Sequence, residues 1–141
     1  MRIKKSQKIF VAGHNGLVGS SVVSCLEKDG FENLITTNRS ELDLLNLEDT
    51  KDFFARINPD IVINAAAKVG GILANSTKPV DFIYENLTLQ NNIMHCCFKT
   101  GVKKMIFLGS SCIYPKFSKQ PIKESYLLTD SLEFTNQWYA L

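Results

Sequence analysis

Gly13-His14-Asn15-Gly16-Leu17-Val18-Gly19 follows directly on the apolar run Ile9-Phe10-Val11-Ala12, an order of residue types that suits binding of a diphosphate. Gly13 permits a tight turn, Gly16 lets the backbone approach a pyrophosphate, and Gly19 lets the following helix pack closely on the strand. A helix opening at Leu17 offers free N–H donors and the positive end of its dipole to phosphate oxygens. The implied ligand is a dinucleotide. Three glycines can also serve only to build a tight strand-to-helix connection, but the strand before them, the helix after them and a βαβ unit of about thirty residues are what the binding mechanism requires.

A second group of reactive types is Gly109-Ser110-Ser111-Cys112-Ile113-Tyr114-Pro115. It follows the apolar run ending at Leu108 and so places two hydroxyls and a thiol at the carboxyl end of a strand, where open α/β sheets bind their ligands. Tyr139 comes later, at a separation that a loop and the beginning of another helix can fill. A phenol is too weak an acid to act freely near neutral pH, so acid chemistry by a tyrosine needs a neighbouring cation and a second donor to share the developing charge. A thiol serves as a base only where positive charge favours the thiolate. The alternative for Cys112 is a buried, inert cysteine.

Cofactor choice rests on the end of the second strand, Thr36-Thr37-Asn38-Arg39. An acid there would accept hydrogen bonds from a ribose 2'-hydroxyl and repel a 2'-phosphate. No carboxylate stands at this tip, and Arg39 can make forked, charge-assisted contacts to a phosphate, so NADP(H) is the expected cofactor. A solvated surface arginine is the alternative. Asp43 either faces the adenine side or begins the polar cap of the next helix.

Positioning these groups takes alternating strands and helices. Lys8 to Ala12, Asn33 to Thr37, Asp60 to Ala65 and Lys104 to Leu108 read as strands. Leu17 to Lys28, Leu47 to Ile57 and Val80 to Thr100 carry apolar residues at helical spacing, with Gly30, Asn58-Pro59 and Gly101 as stop signals. The pattern predicts an α/β fold, a Rossmann-like doubly wound parallel sheet truncated after about four strands. In the common doubly wound order the first strand is central, the second and third lie on one side and the fourth on the other. Lys116 to Leu141 loses periodicity and reads as irregular, which leaves the fourth strand at an exposed edge.

The 141 residues, 45% hydrophobic and 21% charged with a net charge of +2, have the composition of one globular domain. No basic stripe suited to nucleic acid is evident, no apolar run reaches the ~20 residues that span a bilayer, and the polar opening stretch up to Lys8 lacks the core of a secretory signal. A cytoplasmic protein without nucleic-acid or membrane partners is expected. Cys25, Cys96, Cys97 and Cys112 lack metal-ligand or disulfide spacing, so no metal is expected and the first three are expected to fill core space.

The glycine run, Ala65-Ala66-Ala67-Lys68-Val69-Gly70-Gly71-Ile72 with Asn75, Asp81-Phe82-Ile83-Tyr84-Glu85-Asn86, and Gly109 to Lys116 followed by Lys119-Gln120-Pro121 together resemble the extended short-chain dehydrogenase/reductase family, within it the GDP-L-fucose synthase branch. The resemblance covers essentially the whole chain. It implies an oxidoreductase and epimerase that binds NADPH and a GDP-sugar, epimerises the keto-sugar at C3 and C5, reduces it at C4, and forms a homodimer. Tyr139 is then the general acid at the C4 oxygen, Ser110 a hydrogen-bond donor to the same oxygen, and Cys112 the epimerisation base. The implied cofactor contacts are Gly13, His14, Asn15, Gly16, Leu17, Val18, Gly19, Arg39, Asp43, Leu44, Ala65, Ala66, Leu108, Gly109 and Ser111.

Three features depart from the family pattern. Its lysine should lie four residues beyond Tyr139, past Leu141, and its later histidine and nucleotide-sugar domain are also absent, so an amino-terminal part that is inactive alone is expected. Asn15 stands where relatives often carry an arginine. Trp138 precedes the tyrosine in place of a smaller residue. The other readings are a different NAD(P)-dependent nucleotide-sugar epimerase or dehydratase, and a non-catalytic dinucleotide-binding module.

Overall fold

The computed structural model describes residues 3–141. Four parallel strands form one sheet: β1 (Ile9–Ala12), β2 (Leu34–Ile35), β3 (Ile61–Asn64) and β4 (Lys104–Phe107), in the order β2-β1-β3-β4. Helices α1 (Leu17–Lys28), α2 (Leu47–Ile57), α3 (Ile72–Thr77), α4 (Pro79–Thr100) and α5 (Gln137–Ala140) intervene, with single 3-10 turns at Ser111–Ile113, Glu124–Tyr126 and Phe134–Asn136. Among the described residues no helix is long and apolar enough to cross a membrane.

The α/β parallel sheet is the expected one, but the strand order corrects the expectation that the second and third strands share a side of β1. Ile61–Asn64 pairs with β1 over four residues, from Ile9↔Ile61 to Ala12↔Asn64, on the side opposite β2, and β4 pairs beyond it. The reason lies in the two edges of β1. On one, β2 pairs over two residues only, whereas the other edge of β1 offers a four-residue register to β3, and a right-handed crossover through α2 is compatible with either side. Winding therefore reverses at β1, and the crevice between the carboxyl ends of β1 and β3 becomes the switch point at which such sheets bind ligands.

The chain divides into two compact units. The first holds residues up to Ala67 together with Thr88–Leu108, and alternation along β1 and β3 sorts its core into two faces. Phe10, Ala12 and Val62 point to one side and pack with Phe53, Phe54, Ile93, Cys96 and Cys97, all buried. The Phe10 ring lies 4.8 Å from that of Phe53 and 5.9 Å from that of Phe54. Ile9, Val11, Ile61 and Ile63 point to the other side, against Val22, Val23, Leu26 and Phe31. Cys96 and Cys97 fill core space as expected, whereas Cys25 is exposed: it falls on the outward side of α1, away from the stripe of Val22, Val23 and Leu26.

Local chemistry sets the helix ends. The Asn46 side chain accepts from the N–H groups of Glu48 and Asp49 at the start of α2, and Asn58 closes the helix in the left-handed conformation at φ 48° before Pro59. The second unit, Lys68–Leu87 with Gly109–Leu141, holds α3, α5 and the 3-10 turns. Lys116 to Leu141 is largely irregular, as its composition indicates, apart from two of those turns and the one-turn α5.

Candidate active site

In the first unit, Gly13 turns the chain from β1 toward α1 at φ +78°, a conformation that L side chains rarely adopt. A methyl group at Gly13 would stand 2.6 Å from the Ala66 nitrogen and 2.7 Å from the Ala65 carbonyl oxygen, so this turn is pressed against the exit of β3. The Ala65 N–H donates to the Ala12 carbonyl (3.0 Å) and the Ala66 N–H to the buried Asn64 carboxamide (3.1 Å), which fixes that exit. Gly19 plays a different part from the one expected. A methyl there would meet the Gly13 carbonyl oxygen at 2.1 Å, so its smallness seats α1 on the glycine turn itself rather than on the strand.

Gly16 is the N-cap of α1. It receives no side-chain capping bond, and the first turn of the helix carries no acid. Asn15, Gly16, Leu17 and Val18 are exposed, Leu17 by 88%, and His14 is half-buried. The Gly16 N–H donates to the Gly13 carbonyl at 3.0 Å, and no side chain takes the N–H groups that follow it; an open helix start of this kind, beside a cradle that side chains would fill, fits a dinucleotide diphosphate.

The tip of β2 lies in the same unit. Asn15 Nδ2 donates to Asn38 Oδ1 at 2.8 Å, joining the glycine turn to the tip. Arg39 is exposed and stands 3.9 Å from the Asp43 carboxylate, which accepts from the Leu45 N–H at 3.1 Å. Asp43 therefore steadies the following turn. Leu44 packs on the core, and its carbonyl accepts from the buried Asn92 carboxamide (2.9 Å). Glu41 escaped the sequence reading: its carboxylate folds back to accept from the Asn38 N–H at 2.8 Å. The signal was present in Asn38-x-x-Glu41, the three-residue spacing of a capping box.

Leu108 extends the pairing of β4, its N–H donating to the Asn64 carbonyl at 3.1 Å. Space around Gly109 is open. In the second unit Ser110 caps the 3-10 turn Ser111–Ile113, its Oγ accepting from the Cys112 N–H at 3.2 Å. Cys112 is half-buried, and its Sγ accepts from Asn136 Nδ2 at 2.9 Å. Helix α5, which carries the half-buried Tyr139, packs against the turn that carries Cys112. The serine, the thiol and the tyrosine helix thus form one cluster. Asn136, Glu133 and Asn75 belong to its surroundings; Asn75 stood in the run that carries the resemblance, whereas Asn136 and Glu133 had no local sequence signal, because each acts through a partner far along the chain or through the turn it builds.

A cavity of about 520 Å³ in this unit is lined by Gly70, Gly71, Ile72, Asn75, Glu133, Thr135 and Asn136. Asn75 Nδ2 donates to the carbonyls of Gly70 and Gly71, while its buried Oδ1 has no partner. Lys68 pairs with Glu85 and stands 3.8 Å from Asp81, and Asn86 clamps its backbone from both sides. Lys116 pairs with Glu133 at 2.7 Å. That hydrogen bond, followed by the Thr135 N–H, holds the Glu133 carboxyl below the usual carboxylate range. Among the described residues no cluster of side chains suits a metal ion.

The family described as NAD dependent epimerase/dehydratase matches residues 9–141. A putative GDP-L-fucose synthase 2 of Arabidopsis thaliana is 59% identical over 139 residues, 99% of this chain and 42% of the relative. The GDP-L-fucose synthase of Escherichia coli K12 is 51% identical over 135 residues, 96% of this chain and 42% of the relative. The solved structure of MlghC, a GDP-mannoheptose C4 reductase from Campylobacter jejuni with NADP bound, superposes with a TM-score of 0.94 at 40% identity, covering 99% of this chain and 41% of that one. The chain thus spans about 42% of the length of these curated relatives.

Proposed function

The chain belongs to the NAD dependent epimerase/dehydratase family, and from that premise we propose that it carries the cofactor-binding part and three catalytic side chains of a GDP-L-fucose synthase. The enzyme would use NADPH to convert GDP-4-keto-6-deoxy-D-mannose to GDP-L-fucose, epimerising C3 and C5 and reducing C4. In this reading a nucleotide-sugar domain would complete the enzyme. In the same reading the enzyme acts in the cytoplasm as a homodimer.

The observation that carries the reading is the cluster of Ser110, Cys112 and the helix bearing Tyr139. Reduction of a ketone needs donors at the oxygen that gains charge, and the Tyr139 phenol and the Ser110 hydroxyl are such a pair. Epimerisation beside a ketone needs a base, and the Cys112 sulfur is the group in this cluster able to take a proton from carbon. NADPH, when bound, supplies the hydride. By the resemblance, the residues that would hold it are Gly13 to Gly19 for the diphosphate and Arg39 for the 2'-phosphate, with Asp43, Leu44, Ala65, Ala66, Leu108, Gly109 and Ser111 as the further contacts it implies.

The test is a chimera in which this chain replaces the homologous segment of the Escherichia coli relative, supplied with NADPH and the keto-sugar. The expected product is GDP-L-fucose. A product reduced at C4 without inversion at C3 and C5 supports the second reading, a simple GDP-sugar C4 reductase, which the likeness to the Campylobacter jejuni reductase favours. NADPH binding without any turnover overturns both in favour of a non-catalytic module.

A further inference from the structure

Asn136 makes a contact that neither hydride transfer nor cofactor binding requires. Its Nδ2 donates to Cys112 Sγ at 2.9 Å, and its backbone N–H donates to the Glu133 carbonyl at 3.0 Å, which locks the residue into the turn Phe134–Asn136. Glu133 braces that turn through its carboxylate, which accepts from the Thr135 N–H (3.4 Å) and hydroxyl (3.3 Å) and pairs with Lys116 (2.7 Å). Lys116 is itself tied to Ser131, its N–H donating to that carbonyl at 3.0 Å. The Cys112 backbone is held as well, its N–H donating to Ser110 Oγ at 3.2 Å. Asn136 also lines the 520 Å³ cavity.

We infer that Asn136 is a positioning residue for the Cys112 sulfur in the proton-removing half of epimerisation. The inference rests on the reading of Cys112 as the base. A carboxamide N–H only donates, so the bond occupies one lone-pair direction of the sulfur and leaves another for the incoming proton. In the step itself a C–H bond beside the ketone breaks, the proton goes to sulfur, and the electron pair passes through the enolate to the carbonyl oxygen. Asn136 gives up no proton. It holds the sulfur at one place before and after the transfer.

Asn136→Asp keeps the size and shape of the side chain and removes the donor, setting a carboxylate against the sulfur. In the chimera without NADPH, uptake of deuterium from D₂O at C3 and C5 should fall roughly tenfold to a hundredfold in kcat, the scale of a lost hydrogen bond to a charged group. KM and melting temperature should hold, and Asn136→His, which restores a ring N–H donor, should recover part of the rate. In the 141-residue chain itself, alkylation of Cys112 by iodoacetamide should slow about tenfold in Asn136→Asp, with exposed Cys25 as the unchanged reference. A merely structural role would loosen the turn and speed alkylation. An unchanged or faster Cys112 reaction overturns the inference. Exchange lost with Cys112→Ser but kept with Asn136→Asp overturns it alone, whereas exchange that survives Cys112→Ser overturns the reading of Cys112 as the base and the inference with it.

Discussion

Gly13 and Ala66 stand so close that a methyl group added to Gly13 would lie 2.6 Å from the Ala66 amide nitrogen. The turn leaving β1 and the segment leaving β3 are therefore in contact at the switch point of the sheet, and the first can present its backbone to a ligand because it carries no side chain.

Gly13→Ala should destabilise the first unit by roughly 2 kcal/mol or more, since it combines a backbone clash with a left-handed φ that alanine resists. Urea unfolding of the two proteins measures the difference. Unchanged stability would mean that the turn does not press on Ala65 and Ala66.

Arg39→Ala should weaken NADPH binding about tenfold or more and leave NADH within about twofold, because only NADPH brings a 2'-phosphate for the guanidinium to hold. Fluorescence titration with each nucleotide separates the cases. Equal losses for both would make Arg39 part of the scaffold, held by its 3.9 Å pair with Asp43.

Asn46→Ala should cost about 0.5–2 kcal/mol, the usual range for losing an N-cap, because two N–H groups at the start of α2 lose their acceptor. Asn46→Asp should hold stability near that of the wild type, since it keeps the acceptor and adds favourable charge at the helix start. Thermal melts of both variants decide the matter.

Stability should decline on the alkaline side. Burial pushes the Cys97 thiol from 9.0 up to about 11, so the unfolded chain ionises this thiol at a lower pH than the folded one. The contribution is fully present below about pH 9 and is lost as pH rises through about 11. Unfolding free energies measured between these limits should fall, and Cys97→Ala should flatten the slope by an amount of order 1 kcal/mol over the window.

Local chemistry in the sequence was enough to set Leu17–Lys28 and Leu47–Ile57 to the residue, because glycine, asparagine and proline mark their ends. The glycine turn was equally legible, since its spacing and its conformation have one cause. Helix α3 was missed: six residues after Gly70-Gly71 are too few to show a period. Strand order was misread because handedness rules fix the sense of a crossover and not the side of the sheet on which a strand pairs. The bonds of Asn75 to Gly70 and Gly71, of Asn92 to Leu44, and of Asn136 to Cys112 were out of reach. An asparagine announces no partner until packing brings one within hydrogen-bond distance.

Titration of NADPH against NADH into the 141-residue chain tests most directly the claim that the glycine turn and Arg39 hold this cofactor. Saturable binding that favours NADPH by several fold and is abolished by Gly13→Ala is the expected result. Failure of the wild-type chain to bind either nucleotide, or equal affinity for the two, would contradict it.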